Sequence, residues 1–208
     1  MLEFKIASRF LKSSKGQTIL IILGIAVGVS VQVFIGTLIQ GLQKSLVNKT
    51  VGNSSQITIT STNSGGTIDD WREKVDKIKT LNTKIKDISP SVDFSASIDK
   101  DEKMYPISVR GFELSNAEKI YNIKGSIVSG SEPKNEDEVM IGTDLKNDIS
   151  AKVGDIITIF TPDGSKKEVK ISGIYDLKSS SINDRWVITT MAAAQDIGGL
   201  EDKATTIE

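Results

Sequence analysis

The 208-residue sequence contains no cysteine and no histidine. The first absence excludes disulfide scaffolds, thiolate nucleophiles and cysteine-based zinc sites, and the second excludes every catalytic scheme that runs on imidazole. An enzyme built from this chain would have to work with carboxylates, lysine, serine or tyrosine. Charge of one sign is not in excess either, since 26 basic residues face 27 acidic ones. A clustered basic surface of the kind nucleic acid recruits is not implied, and no nucleic-acid partner is expected. The phosphate-cradling pattern GxxxxGK[ST] is missing, so the chain cannot hydrolyse nucleotide by that route.

The charge that is present is unevenly placed. Lys5, Arg9, Lys12 and Lys15 stand against Glu3 in the first fifteen residues, a side-chain balance of +3 that leaves −4 for the remainder. From Gly16 to Gln43 no residue is charged, and Thr18–Ile39 is apolar apart from Thr18, Ser30, Gln32 and Thr37. At ~1.5 Å per residue this segment reaches about 33 Å, enough to cross a hydrocarbon core of ~30 Å. The segment reads as one membrane-spanning helix. Basic residues cluster just before it, which keeps the N-terminus in the cytoplasm and puts the residues after about 40 outside. A cleaved signal peptide would have a shorter apolar region ending at a small-x-small site, and neither feature is present. A buried helix of a soluble protein would carry a polar face.

Residues 2–12 (LEFKIASRFLK) read as a separate amphipathic helix, with Leu2, Phe4, Ile6, Phe10 and Leu11 on one broad face and Lys5, Arg9, Lys12 and Lys15 on the other. That pattern is expected to lie in the membrane surface, in contact with lipid, the alternative being a disordered basic leader. Within the spanning helix, Gly24 and Gly28 form a GxxxG whose four-residue step continues through Gln32, Gly36 and Gln40. Small and amide side chains in such a stripe admit another helix closely and offer it hydrogen bonds, so Gly24, Gly28, Gln32 and Gly36 are the expected helix-packing residues.

Beyond the membrane, Gln56–Ser61 alternates Ile and Thr as a strand, and Ile68, Trp71, Val75, Ile78, Ile85 and Ile88 recur at helical spacing with acidic residues near the start. Val92–Ile98 and Tyr105–Phe112 alternate around the charged turn Asp99–Lys103, which predicts a hairpin or two neighbouring strands. Lys100 and Lys103, and the lack of glycine, argue against a calcium loop there. A short helix is expected over Leu114–Tyr121. Strands are expected at Glu138–Ile141, Asp155–Phe160, Lys167–Tyr175 and Arg185–Thr189, with a Pro-Asp-Gly turn at Thr161–Ser165. Ala192–Ile197 reads as a short helix and Ala204–Ile207 as the start of a strand. Strands this short with tight turns point to a small barrel or sandwich. The carboxylates of Glu136, Asp137 and Glu138 sit in a Pro/Asn-containing loop and read as solvated, not catalytic. Asn48-Lys-Thr50 and Asn53-Ser-Ser55 match a glycosylation acceptor pattern too common to assign a role.

The order of these pieces resembles a known family. A basic amphipathic start, a membrane helix and an Ile/Thr strand are followed by Glu138-Val-Met-Ile-Gly142, Leu145, Lys152-Val-Gly-Asp155-Ile-Ile-Thr-Ile159, Val169-Lys-Ile-Ser-Gly-Ile174 and Trp186-Val-Ile-Thr-Thr-Met-Ala-Ala-Ala-Gln195. This is similar to the N-terminal part of ABC transporter permeases of the macrolide-exporter and lipoprotein-releasing type. The resemblance implies a membrane-anchored α+β chain divided into an interfacial helix (1–15), a spanning helix and stalk (16–47), an α+β extracytoplasmic lobe (48–125 with 189–208) and a β-rich, barrel-like lobe (126–188). It further implies a dimer of permease subunits served by a cytoplasmic ABC ATPase, with an extracytoplasmic protein or lipoprotein as substrate. The chain itself would be no enzyme and would hold no cofactor or metal. Such permeases carry three further membrane helices after the outer domain, and the contact with the ATPase lies among them. The chain is therefore expected to be either an N-terminal fragment, about half of a permease, or a truncated product unable to transport alone. Two other readings compete: a single-pass membrane-anchored binding or receptor module, which needs no ATPase, and a membrane-anchored hydrolase, which lacks a convincing set of catalytic residues.

Overall fold

The computed structural model describes residues 2–51, 55–63, 65–81 and 84–208, except for the side chains of residues 2 and 45–51. They fall into two units, residues 1–48 and residues 49–208. In the first, α1 spans Leu2–Ser13 and α2 spans Lys15–Val51. Both predicted N-terminal helices are present, and α2 continues well past the apolar stretch.

The second unit begins with β1 (Ile59–Thr60) and α3 (Trp71–Leu81), followed by β2 (Pro90–Lys100) and β3 (Lys103–Phe112). Helices α4 (Leu114–Tyr121) and α5 (Ile123–Ser126) lead to β4 (Ile127–Gly130) and β5 (Glu138–Gly142). Then come α6 (Thr143–Asp148), β6 (Ile156–Phe160), β7 (Lys166–Tyr175), α7 (Ser180–Asn183), β8 (Trp186–Thr190), α8 (Met191–Gly198) and β9 (Thr206–Ile207).

The strands form one sheet that closes on itself. Neighbours run β2, β3, β8, β5, β7, and β6 joins β7 back to β2, giving a six-stranded barrel. The β2–β3 and β6–β7 pairs are antiparallel hairpins, whereas β3–β8 and β5–β7 are parallel. β9 and β1 extend the sheet beyond the first residues of β2, and β4 extends it beside the second half of β7. Closure leaves little free edge, which is how a small all-strand layer avoids pairing with other chains.

Period-two alternation fills the barrel. Ile98, Ile107, Val109, Val139, Ile141, Ile157, Ile159, Val169, Ile171 and Val187 are buried in one cluster, to which α3 adds Trp71 and Val75 and α8 adds Ala194 and Ile197. The alternation is sharp in β6, where Ile157 is 7% exposed and its neighbour Ile156 is 68% exposed. A second cluster lies on the opposite face of the sheet. There Phe112, Met140, Tyr175 and Ile188 meet Ala117 and Tyr121 of α4 and Ile123 of α5. α8 is bounded by ordinary capping chemistry: Thr190 Oγ1 accepts from the Ala193 amide at 3.2 Å, and Gly199 takes φ +62° to end the helix.

Several expectations need correction. The helix anticipated over Ile68–Ile88 stops at Leu81, and Ile85 and Ile88 lie in a segment without regular secondary structure just before β2; residues 82 and 83 of that stretch lie outside the described residues. Asn82 and Thr83 are weak helix formers, Pro90 disfavours helix just before it, and the Ser89 amide donates to the Glu208 carbonyl at 2.8 Å, drawing this segment into the sheet. The strand anticipated over Gln56–Ser61 shrinks to Ile59–Thr60, the two positions with a partner in β9. The barrel takes β2 and β3 from the segment expected to form the α+β lobe, so the strands of the two anticipated lobes share one sheet. The Asn53 acceptor tripeptide and the Asn48 side chain lie outside the described residues.

The β2–β3 hairpin turns on Asp101 and Glu102, both left-handed (φ +53° and +62°), between paired Lys100 and Lys103. A two-residue loop of this kind matches the twist of its strands but favours Asn-Gly. Replacing Asp101-Glu102 by Asn-Gly is expected to stabilise the domain by about 1 kcal/mol, read as a higher urea midpoint at unchanged slope. No gain would mean that interactions of the native turn offset its backbone strain.

Candidate functional site

α2 carries a 30-residue span, Lys15–Lys44, whose most apolar 18 residues have a mean hydropathy of 2.6, and none of those 18 is buried within the structure. A Cβ placed on Gly24, Gly28 or Gly36 would meet nothing within 4 Å, and Gln32 is exposed. The expected packing stripe is thus brought together on one helix and left uncovered. Thr37 turns its hydroxyl inward, donating to the carbonyls of Val33 and Phe34 at 3.0 and 2.9 Å. Lys5, Arg9 and Lys12 project from α1 and Lys15 opens α2, all of them exposed.

In the second unit the carboxylates of Glu136 and Asp137 are exposed, as are Asp99, Asp101 and Glu102. Among the described residues no group of acidic side chains has the geometry to hold a metal ion. A groove of ≈ 360 Å³ runs between β1 and α3, with Ile59, Ile68, Ile78 and Ile207 along it and Lys74 and Lys77 at its rim.

The most highly organised polar constellation is one that the sequence reading does not single out. Arg110 lies on the α4 side of β3, directly across the strand pair from Asp93. Its Nε and Nη2 donate to the two Asp93 oxygens at 2.8 and 3.0 Å, and Nη2 also donates to Glu208 Oε1 at 2.8 Å. Tyr121 Oη donates to Glu208 Oε2 at 2.6 Å and lies 3.3 Å from Arg110 Nη1. Ser91 and Thr206 hydroxyls donate to Asp93 Oδ2 at 2.9 and 2.6 Å. The guanidinium carbon sits 4.1 Å from the Trp186 ring centroid and 4.8 Å from that of Phe112. The Arg110 and Glu208 side chains are only 7% and 5% exposed.

Burial disfavours the Arg110 cation, but the hydrogen bond and charge of Asp93, aided by Glu208, outweigh it and hold its pKa above the ordinary value. Burial pushes the Tyr121 phenol up to about 12, with Arg110 opposing the shift. A phenol that stays protonated and a guanidinium that stays charged cannot exchange protons near neutrality. The cluster clamps β9 and α4 onto the β2–β3 pair. The signal for it was present in the sequence: counting outward from the Asp101–Glu102 turn places Asp93 opposite Arg110.

Tyr121 makes stability depend on alkaline pH. Its phenol ionises near 10 in the unfolded chain and at about 12 in the fold, so the unfolded state releases its proton first. The contribution is complete below pH ~10 and is lost as pH rises toward ~12, a drop of about 2 kcal/mol. Urea titrations at stepped pH should show this slope, and Tyr121→Phe should reduce it, leaving the part that comes from the Tyr175 phenol, whose pKa burial also raises well above the ordinary value.

Comparison with known proteins places these observations. Residues 18–207, which take in most of the apolar helix and the barrel, match the family described as MacB-like periplasmic core domain. The lipoprotein-releasing system transmembrane protein LolE of Haemophilus influenzae is 28% identical over 141 residues, covering 66% of this chain and 34% of that protein. The chain thus spans about a third of the length of this curated relative. The extracellular domain of the noncanonic ABC-type transporter YknZ from Gram-positive bacteria shares the fold, with TM-score 0.50 at 12% identity, covering 73% of this chain and 81% of that one. The periplasmic region of MacB from Actinobacillus actinomycetemcomitans gives TM-score 0.48 at 11% identity over 72% of this chain and 71% of that one. This is a membrane protein with an extracytoplasmic α+β domain, and the chain belongs to the MacB-like periplasmic core domain family of ABC transporter permeases.

Proposed function

We propose that this chain is the N-terminal part of an ABC permease subunit in which ATP hydrolysis by a cytoplasmic ATPase moves the extracytoplasmic domain to export or handle an envelope protein or lipoprotein. The observation that carries this reading is the single family match across residues 18–207, which joins the apolar helix to the barrel domain. α2 supports it mechanically, because it runs unbroken from Lys15 to Val51, beyond its apolar stretch, and a continuous helix transmits axial and rotational displacement. The N-terminus is cytoplasmic, since Lys5, Arg9, Lys12 and Lys15 precede the span. α1 lies in the cytoplasmic membrane surface with its apolar face inward. Residues 48–125 with 189–208 form an α+β lobe and residues 126–188 a β-rich lobe, whose strands join in one sheet.

Two such subunits pair in the membrane, and Gly24, Gly28, Gln32 and Gly36 form a helix-packing surface, within the subunit or between subunits. A stripe that repeats every four residues inclines across the helix, so the helix packed on it crosses right-handedly at about −40°. Gly28→Leu is expected to weaken helix association roughly tenfold, measured by energy transfer between labelled full-length subunits in bilayers. An unchanged association would place the pairing on another face.

The decisive experiment is isolation of the native protein from membranes with an antibody to the outer domain, followed by mass spectrometry. A chain two to three times this length with a co-purifying ATPase is the expected result. A 22.5 kDa chain without an ATPase would overturn the permease reading and leave an anchored binding module.

A further inference from the structure

We propose that α1 is a binding surface for anionic lipid headgroups, held at an angle to the spanning helix by an elbow at Ser14 that the Thr18 side chain closes. This rests on α1 lying in the membrane surface, as proposed above, and adds which lipid it reads and how it is presented.

The elbow comes from the hydrogen bonds. α1 ends at Ser13 and α2 begins at Lys15, leaving Ser14 outside both helices. The Thr18 hydroxyl donates to the Leu11 carbonyl at 2.9 Å and approaches the Ser14 carbonyl at 3.1 Å. Seven residues rise about 10 Å along an uninterrupted helix, too far for a hydroxyl to reach back, so the Thr18–Leu11 bond requires the chain to bend between them. The same bond gives a partner to a carbonyl at the helix end. α1 is therefore a separate arm and not a straight extension of the span.

The arm has two unlike faces. Phe4 and Phe10 are 83% and 77% exposed, and Ile6 and Leu11 are more than half exposed. Lys5, Arg9 and Lys12 follow at steps of four and three residues and share the other face, and Lys15 continues the arc across the elbow. Glu3, the one acidic residue of α1, falls outside that arc. Apolar insertion alone needs none of these cations. Their grouping on one side of a helix tied to the start of a membrane span complements a negatively charged leaflet, where each is attracted over roughly a Debye length.

The chain's lack of cysteine makes the test direct. Ala7→Cys, within the apolar face, provides a single site for an environment-sensitive fluorophore in the full chain. The labelled protein is reconstituted in nanodiscs of phosphatidylcholine alone or with about a third phosphatidylglycerol. Blue-shifted emission and quenching by spin-labelled lipid report the docked arm. Docking is expected to be stronger in the anionic discs and to fall toward the neutral-disc level in 1 M salt. It should weaken about fivefold for each of Lys5→Gln, Arg9→Gln and Lys12→Gln, or roughly a hundredfold for the triple variant. Equal, salt-insensitive docking in both discs would overturn anionic recognition while leaving a surface-lying α1 intact. A water-exposed fluorophore in both discs would overturn the surface location as well.

Discussion

Arg110→Met is expected to destabilise the extracytoplasmic domain by about 3–5 kcal/mol, because it leaves Asp93 and Glu208 facing one another without their shared cation. Methionine approximates the length of the arginine stem, so packing against Trp186 and Phe112 is partly kept and the loss reports the charge. Arg110→Lys keeps the charge but not the planar fork that engages both Asp93 oxygens, and should cost an intermediate amount. Adding Asp93→Asn and Glu208→Gln to Arg110→Met should recover part of the loss, since the destabilisation comes from orphaned charge. Residues 49–208 form a compact unit with its own core, so urea unfolding of that fragment, followed by fluorescence of Trp71 and Trp186, is a suitable measurement. A loss under about 1 kcal/mol for Arg110→Met would mean that water screens the cluster as it screens a surface ion pair.

Gly111→Ala is expected to cost about 3 kcal/mol. A Cβ there would lie 2.2 Å from the Ala194 Cβ and 2.9 Å from the Thr190 carbonyl oxygen, so α8 could no longer rest on β3. The pair can be tested reciprocally. Ala194→Gly alone should cost about 1 kcal/mol through lost helix propensity, but in the Gly111→Ala background it should be neutral or stabilising because it removes the closest clash. The Thr190 carbonyl contact remains, so recovery should be incomplete. Additive losses would show that the backbone of α8, and not the Ala194 methyl, sets the approach.

The elements legible in the sequence were those whose periodicity agreed with their tertiary setting. The hairpin strands around Asp101–Glu102, the α4 helix at Leu114–Tyr121 and the strands β5 to β8 all alternate or repeat in register with the layer that buries them. Where a local pattern competes with pairing, pairing prevails: Ile85 and Ile88 fit a helix by spacing, yet the next residue, Ser89, is claimed by Glu208 and the run is not helical. Strand β4 is not legible in the sequence because Ile127–Gly130 pairs on only one side and leaves Val128, Ser129 and Gly130 exposed, so it carries no alternation. Barrel closure was equally hard to read, since β6 joins β2 through only two residue pairs, Ser97–Phe160 and Ile98–Ile159. The long apolar helix needed only composition and spacing. The Arg110 cluster needed a register count around a turn that lacks the usual glycine.

The position of β9 between β1 and β2 also shapes how the domain is made. Ile207 pairs with Ile59 and Pro90, and Thr206 pairs with Thr60 and Ser91. These partners leave the ribosome more than a hundred residues ahead of β9, a delay on the order of ten seconds at ~5–20 residues per second. Throughout that interval β1 and the start of β2 present unpaired backbone, and exposed Ile57 and Ile59 lie beside it. The nascent chain is then open to strand exchange with a neighbouring copy or to capture by a folding chaperone. Arrival of Thr206 and Glu208, with their bonds to Asp93, Arg110 and Tyr121, ends that exposure.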